Sequence, residues 1–146
     1  MNSELQKKLF EEFPKLFLQK DLPMTQTAMC WGISCGDGWF DILRDACLKI
    51  ESHFDNLKSN GANVLEITVE NTDVEGEDII WYPQFTQVKE KFGSLRVYYV
   101  GGDDEVFSIV DALEDLSSET CELCGNKGRE SEGYWISVRC EDCDGK

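Results

Sequence analysis

The stretch Cys121-Glu-Leu-Cys124-Gly125, followed by Cys140-Glu-Asp-Cys143, decides the architecture of the C-terminal part of this 146-residue chain. Each C-x-x-C pair makes a tight turn that directs two thiolates at one ion, and Gly125 permits the left-handed residue that closes the first turn. Fifteen residues separate Cys124 from Cys140, which is typical of a zinc ribbon. Four thiolates fill a tetrahedral shell, so the sequence predicts a structural Zn²⁺ site with no open position for water. The alternative is a redox dithiol, which would lie at a strand-to-helix turn, but no helical pattern follows either pair.

The remaining cysteines and the N-terminus indicate the compartment. The chain has seven cysteines, an odd number, and it begins with a charged helical pattern rather than a signal peptide. Metal binding in a reducing compartment explains this usage better than disulfides do. No stretch approaches the ~20 apolar residues that a membrane helix needs. These features predict a cytoplasmic protein without a membrane segment.

Upstream of the cysteines, the apolar period changes twice. Residues 5–13, 39–54 and 106–116 place apolar side chains at helical spacing, whereas residues 64–70, 79–82, 85–92 and 95–100 have the character of strands. The sequence therefore predicts an α+β domain over residues 1–118, with helices packed on a small, mostly antiparallel sheet. A zinc ribbon follows over residues 119–146.

A β-hairpin is predicted around Gly93-Ser94, a two-residue turn. This register places several basic side chains on one face, and like charges opposite each other destabilise a hairpin unless an anionic group covers them. Two interpretations stay open: the chain's own acids over 66–78 or 103–119 cover the face, or the face binds an anion or a partner. The residues of this candidate site are Lys89, Lys91, Arg96 and Tyr98.

Net charge is the second strong feature of the sequence. The formal charge is −15, and residues 101–119 hold seven acids and no base. Such a chain should be repelled by nucleic-acid phosphates and anionic membranes, and attracted to basic protein surfaces. A second acidic segment covers residues 71–78. The alternative is that the charge serves solubility alone. The candidate partner-binding residues are Asp103, Asp104, Asp111, Glu114 and Asp115.

No catalytic constellation emerges from the sequence. Cys35 could have a lowered pKa at the start of a helix, or it could be a small buried apolar residue, and nothing ties the sole histidine, His53, to it. Glu90 is the odd polar member of the apolar hairpin face. The four tryptophans are predicted to pack in the core or between the two modules. We therefore expect a non-enzymatic protein.

Three strings occur in one order: Gly32-Ile-Ser-Cys-Gly-Asp-Gly-Trp39, Lys89-Glu-Lys-Phe-Gly-Ser-Leu-Arg-Val-Tyr98 and Cys121-Glu-Leu-Cys-Gly125. Together they resemble a family of small phage, prophage and bacterial proteins that has no agreed activity. The resemblance runs from about Phe10 through Cys143. Many relatives end in Cys-x-x-His, whereas this chain has a cysteine, a change that zinc tolerates. The resemblance implies a mobile-element setting and transfers no catalytic residue.

These observations lead to one main hypothesis. The chain is predicted to be an acidic zinc protein, an accessory factor of a phage or mobile element, that binds and inhibits a host protein with a basic, nucleic-acid-binding surface. Three alternatives stay open. They are a nucleic-acid-binding ribbon that uses the basic hairpin face, an enzyme that uses Cys35 or Glu90, and a small structural or assembly subunit. The sequence gives no indication of oligomeric state.

Overall fold

The computed structural model describes residues 1–68, 74–76 and 78–146. The helices are α1 (Ser3–Glu12), α2 (Phe40–Ser59) and α3 (Asp104–Ser117). The strands are β1 (Ile33–Ser34), β2 (Asn63–Glu66), β3 (Ile79–Tyr82), β4 (Gln84–Lys91), β5 (Ser94–Val100), β6 (Arg129–Glu130) and β7 (Val138–Arg139). The arrangement is α+β and carries a four-cysteine cluster near its C-terminal end, as the sequence predicts.

The described strands form three small sheets of mixed direction. The largest has the order β1-β4-β5, in which β1 runs parallel and β5 antiparallel to β4. Strands β2 and β3 form a parallel pair, and β6 and β7 form an antiparallel pair between the two cysteine turns. The strand predicted over 79–82 coincides with β3. The strand predicted over 64–70 overlaps β2, which ends at Glu66, while positions 69 and 70 and half of the acidic segment 71–78 lie outside the described residues.

The apolar core joins all three helices to the largest sheet. α2 turns its periodic apolar stripe inward, so that Leu43, Ile50 and Phe54 are buried. Phe17 packs edge-to-face on Phe85 of β4, with ring centroids 5.3 Å apart, a favoured geometry for aromatic pairs. The apolar residues that recur at helical spacing in the sequence are therefore the ones that fill this core.

α3 covers the open edge of the largest sheet. The backbone N–H of Leu95 donates to Ser117 Oγ at 2.8 Å, and that of Val97 donates to Glu114 Oε1 at 3.0 Å. An uncovered edge strand exposes a row of such groups and invites pairing with another chain. Two helix side chains therefore satisfy the outer edge of β5 and fix α3 beside it.

The predicted hairpin turn is wrong by one residue, so every residue pairs with a partner two positions away from the predicted one. The turn is Phe92-Gly93, so Lys91 lies opposite Ser94 and Lys89 lies opposite Arg96. Both turn residues have positive φ, 52° and 78°, as a type I′ turn requires. A shift of two residues leaves each side chain on its predicted face, because side chains alternate with period two.

Replacing Phe92 with Asn should raise the free energy of unfolding by about 0.5–1 kcal/mol, because Asn tolerates the left-handed conformation better than Phe. Phe92 is 71% exposed, so little packing is lost. Urea denaturation of both proteins measures the difference. Phe92→Ala, which lacks the side-chain preference of Asn, is the control and should gain less. An asparagine variant no more stable than the alanine control would contradict this account of the turn.

Candidate metal centre and surrounding surfaces

The four cysteines of the two C-x-x-C pairs meet at one point. The sulfur atoms of Cys121, Cys124, Cys140 and Cys143 all lie within 4.8 Å of one another, and those of Cys124 and Cys140 are 3.5 Å apart. A tetrahedral ion with metal–sulfur bonds of about 2.3 Å places its ligands about 3.8 Å from each other. The cluster therefore has the size and donor set to hold a metal ion.

Backbone hydrogen bonds build the first cysteine turn and join it to the second. Gly125 N donates to Cys121 O at 2.9 Å, and Cys121 N donates to Asn126 O at 2.7 Å. Gly125 has a φ of 81°, the left-handed conformation that the sequence predicts there. Glu122 N donates to Val138 O at 3.0 Å, which holds the first turn beside the strand that leads to Cys140. The main chain therefore holds the two cysteine turns next to each other.

The thiols of the cluster differ in how readily they ionise. Burial alone would raise the pKa of Cys121, but backbone N–H groups of Cys140, Cys124 and Leu123 outweigh it and lower that pKa to about 6. Hydrogen bonds with the Cys124 and Cys140 thiols raise the pKa of Cys143 to about 12. The N–H of Asn126 lowers the pKa of Cys124, yet its contact with the Cys140 thiol leaves that pKa above its ordinary value. The cluster accommodates one thiolate readily, whereas four need a cation.

The first cysteine turn packs against the loop Gly36-Asp-Gly-Trp39. Gly38 N donates to Glu122 O at 2.8 Å, and Gly36 N donates to the Glu122 carboxylate at 3.1 Å. Trp39 is fully buried, and its indole N–H donates to Thr120 O at 2.7 Å. This string therefore has a packing role beside the cysteine cluster.

Contact between this loop and the cysteine turn requires a glycine. A Cβ at Gly38 would lie 2.6 Å from Gly125 N and 2.7 Å from Cys124 N, and closer still to Cys121 O. All three atoms belong to the main chain, which cannot rotate away as a side chain would. The two backbones therefore pack against each other without an intervening side chain.

The structure decides between the two interpretations of Cys35 and shows which of the tryptophans are buried. Burial raises the pKa of Cys35 to about 12, so of its two interpretations the structure favours the small buried apolar residue over the reactive thiol. Trp39 is buried as predicted, but the prediction is wrong for Trp31 and Trp135, which are 69% and 81% exposed. Glu90 accepts the N–H of Gly93 at 2.9 Å, which gives it a local role in the hairpin turn.

Part of the positive charge of the candidate anion site on the hairpin is neutralised by an acid of the same chain. Arg96 Nη1 lies 3.4 Å from Glu114 Oε2 of α3, so an acid of the 103–119 segment does cover part of the basic face. Lys91 lies over the ring of Phe92, 5.5 Å from its centroid. Tyr98 is 45% exposed. In the described part of the chain Lys89 and Lys91 form no ion pair, and their role in binding stays a prediction.

Two of the five candidate partner-binding acids support the fold. Asp103 is the N-cap of α3, where its carboxylate accepts the N–H of Val106 at 3.2 Å and lies 2.7 Å from His53 Nε2. Glu114 accepts the N–H of Val97. The sequence does not show the role of Glu114, because its partner Val97 lies on a strand 17 positions away.

The other three acids point away from the core. Asp104, Asp111 and Asp115 are exposed at positions i, i+7 and i+11, which fall on one face of α3 opposite its buried stripe. Within residues 1–68, 74–76 and 78–146, none of the three forms an ion pair. We refer to these three residues as the acidic face.

The chain matches no protein-family model, no curated protein and no solved structure. None of the helices in the described residues has the length and apolar character needed to cross a membrane. Function therefore has to be inferred from the chemistry of the cluster and of the surfaces around it.

Titration with Zn²⁺ at pH 7 should bind one ion per chain and release at least two protons, because Cys124 and Cys143 have raised pKa values and lose protons on binding. The apparent affinity should fall as the pH falls, since protons then compete for the sulfurs. Calorimetry in two buffers of different ionisation enthalpy gives the proton count. A Cys30→Ser control should give the same count, and release of less than one proton per ion would contradict the predicted ionisation of the cluster.

Replacing Gly38 with Ala should lower the free energy of unfolding by about 2–3 kcal/mol, because the added methyl group meets only main-chain atoms. The same variant should bind metal more weakly, since the seat of the cysteine turn is displaced. Urea denaturation with and without metal measures both effects. The exposed neighbour Ser34→Ala is the control, and an equal response of the two variants would contradict the packing described here.

Proposed function

We propose that this chain is a non-enzymatic zinc protein, an accessory factor of a phage or other mobile element, that binds and inhibits a host protein. The acidic face of α3 is its binding surface, and the partner is a protein whose basic surface ordinarily binds nucleic acid. The mobile-element setting is supported by the resemblance of its three sequence strings. The rest is supported by the chemistry of the cluster and of α3.

Zinc is the ion that best suits the cluster. Four thiolates in tetrahedral arrangement select Zn²⁺ or iron, whereas oxygen-preferring ions such as Mg²⁺ and Ca²⁺ avoid such a donor set. The ion would fill its coordination shell with protein sulfur, which leaves no position for a reacting water. Its contribution is to stabilise the C-terminal turns and their contact with the loop at 36–39.

The observation that carries the binding proposal is that two of the three acids of the acidic face, Asp111 and Asp115, occupy positions that do not favour their own helix. Asp111 and Asp115 are four residues apart, a spacing at which like charges repel. Asp115 also lies near the C-terminal end of α3, where the helix dipole disfavours a negative charge, and the last turn holds no base. Solubility requires negative charge somewhere on the surface but does not require it at these positions.

The spacing of the acidic face suits a surface that recognises phosphates. With a rise of 1.5 Å per residue, the three carboxylates lie at intervals of about 6 and 10 Å along the helix axis. Phosphates of one strand of duplex DNA repeat about every 3.4 Å along the axis, so these intervals correspond to about two and three phosphate repeats. Carboxylates held on a rigid helix can occupy a basic groove that binds a nucleic-acid backbone and exclude nucleic acid from it.

Direct nucleic-acid binding is the weaker alternative. The basic hairpin face and the ribbon would have to supply the cations, but Arg96 pairs with Glu114 and Arg139 pairs with Glu122 at 3.2 Å. Both arginines lie close to acids that would repel phosphate. No specific observation favours the alternative of a structural or assembly subunit.

Neutralising the acidic face should abolish partner binding without unfolding the chain. The variant Asp104→Asn/Asp111→Asn/Asp115→Asn should capture its partner from host lysate at least roughly tenfold less well than the parent, because three unpaired charges are lost. The parent should also displace nucleic acid from the purified partner. Circular dichroism should show a helix at least as stable as in the parent.

The matched control neutralises three exposed acids elsewhere, Glu4→Gln/Glu130→Gln/Glu132→Gln, and changes the net charge equally. It should capture the partner like the parent. Equal capture by the two triple variants would contradict a specific acidic face. A captured partner whose binding to nucleic acid is unaffected by the parent would contradict inhibition.

A further inference from the structure

A groove runs between α2 and α3, beside the acidic face. Its open volume is about 210 Å³. α2 lines it with residues at positions i, i+3, i+4 and i+7, and α3 does the same, so two parallel stripes of equal spacing border the groove. The stripe of α2 is Ile42, Asp45, Ala46 and Lys49, and that of α3 is Ile109, Ala112, Leu113 and Leu116. Two helices with facing stripes of this kind form the seat of a third helix.

The bottom of this groove is apolar, and its rim is partly exposed to solvent. Ala46 and Leu113 are buried at the bottom, whereas Leu116 is 49% exposed on the rim. Ala112 is exposed, and its small side chain allows another backbone to approach closely. An apolar groove of this kind can bury its surface against one more helix. Burial of apolar surface is the source of affinity in helix-binding grooves.

Negative charge borders the groove. Asp45 of α2 and Glu105 of α3 belong to its lining, and the acidic face continues around α3 from it. The lining also contains Lys49, whose amino group lies 2.9 Å from the Asp45 carboxylate, so these two charges offset each other. The net negative charge therefore lies on the α3 side of the groove, and a helix that enters it should carry cations on the flank that faces α3.

We infer that the groove between α2 and α3 binds one amphipathic α-helix of the partner, with apolar residues at i, i+3 or i+4, and i+7, and with lysine or arginine on the flank that faces α3. The inference rests on the proposed function for the basic character of the partner. It adds the apolar anchor that fixes where and in which orientation the partner lies. Recognition then depends on the shape of the groove as well as on charge, which a purely electrostatic contact does not provide.

Fluorescence anisotropy with three labelled synthetic peptides tests this inference. The first is an amphipathic peptide of about five helical turns, with leucines on one face and lysines and arginines on one flank. The second has the same composition in scrambled order, and the third has glutamates in place of the flanking bases. The first should bind at least about tenfold more tightly than either control. Equal binding of the scrambled peptide, or no binding of the first, would overturn the inference.

Protein variants separate the groove from the acidic face. Ala112→Trp fills the groove with an exposed side chain and should weaken binding of the first peptide by at least about tenfold. Phe107→Trp is the matched control on the same helix, since Phe107 is 64% exposed and does not line the groove. It should bind the peptide like the parent, and circular dichroism checks that both variants are folded.

The two proposals fail in different ways. If the asparagine triple variant no longer binds the partner while Ala112→Trp binds the partner normally, the groove inference is wrong. The proposal that the acidic face binds the partner is then kept. If Ala112→Trp loses the peptide while the triple variant keeps the partner, the proposed function is wrong and the groove binds a helix for another reason.

Discussion

The contact between the 36–39 loop and the first cysteine turn is the constraint on which the rest of this structure depends. It joins main chain to main chain, with Gly38 against Cys121 and Cys124, and it is completed by the buried hydrogen bond from Trp39 to Thr120. On one side the loop leads directly into α2, and on the other the cysteine turn follows α3. The four-cysteine cluster is thereby joined to both helices that form the groove.

Several parts of this architecture could be predicted from the sequence because local chemistry determines them. The spacing of Cys121, Cys124, Cys140 and Cys143 specifies one four-sulfur cluster, whatever lies between them. The apolar periods of α2 and α3 specify helices and their buried faces. β3 is limited on its C-terminal side by Pro83, which cannot donate a hydrogen bond to a sheet. In each case a few residues at short range carry the information.

Other features could not be predicted because they depend on distant neighbours. The hairpin turn uses Phe92 in a left-handed conformation, and no local preference of Phe indicates that choice. The contact of Asp103 with His53 and the support that Glu114 gives to β5 exist only because α2 and β5 lie next to them. The cover over β5 comes from α3 side chains that sequence spacing alone does not place there. The exposure of Trp31 and Trp135 likewise follows from tertiary arrangement, since tryptophan is usually buried.

The hydrogen bond between Trp39 and Thr120 also has a consequence for the order of events on the ribosome. The two residues are 81 positions apart, and contacts at such separation form late because the intervening chain must first be ordered. While residues 40–100 emerge, the 36–39 loop has no cysteine turn to receive it, and the indole of Trp39 lacks its final partner. The 36–39 loop can therefore reach its native contacts only after the segment that contains Thr120 and the first cysteine turn has been synthesised.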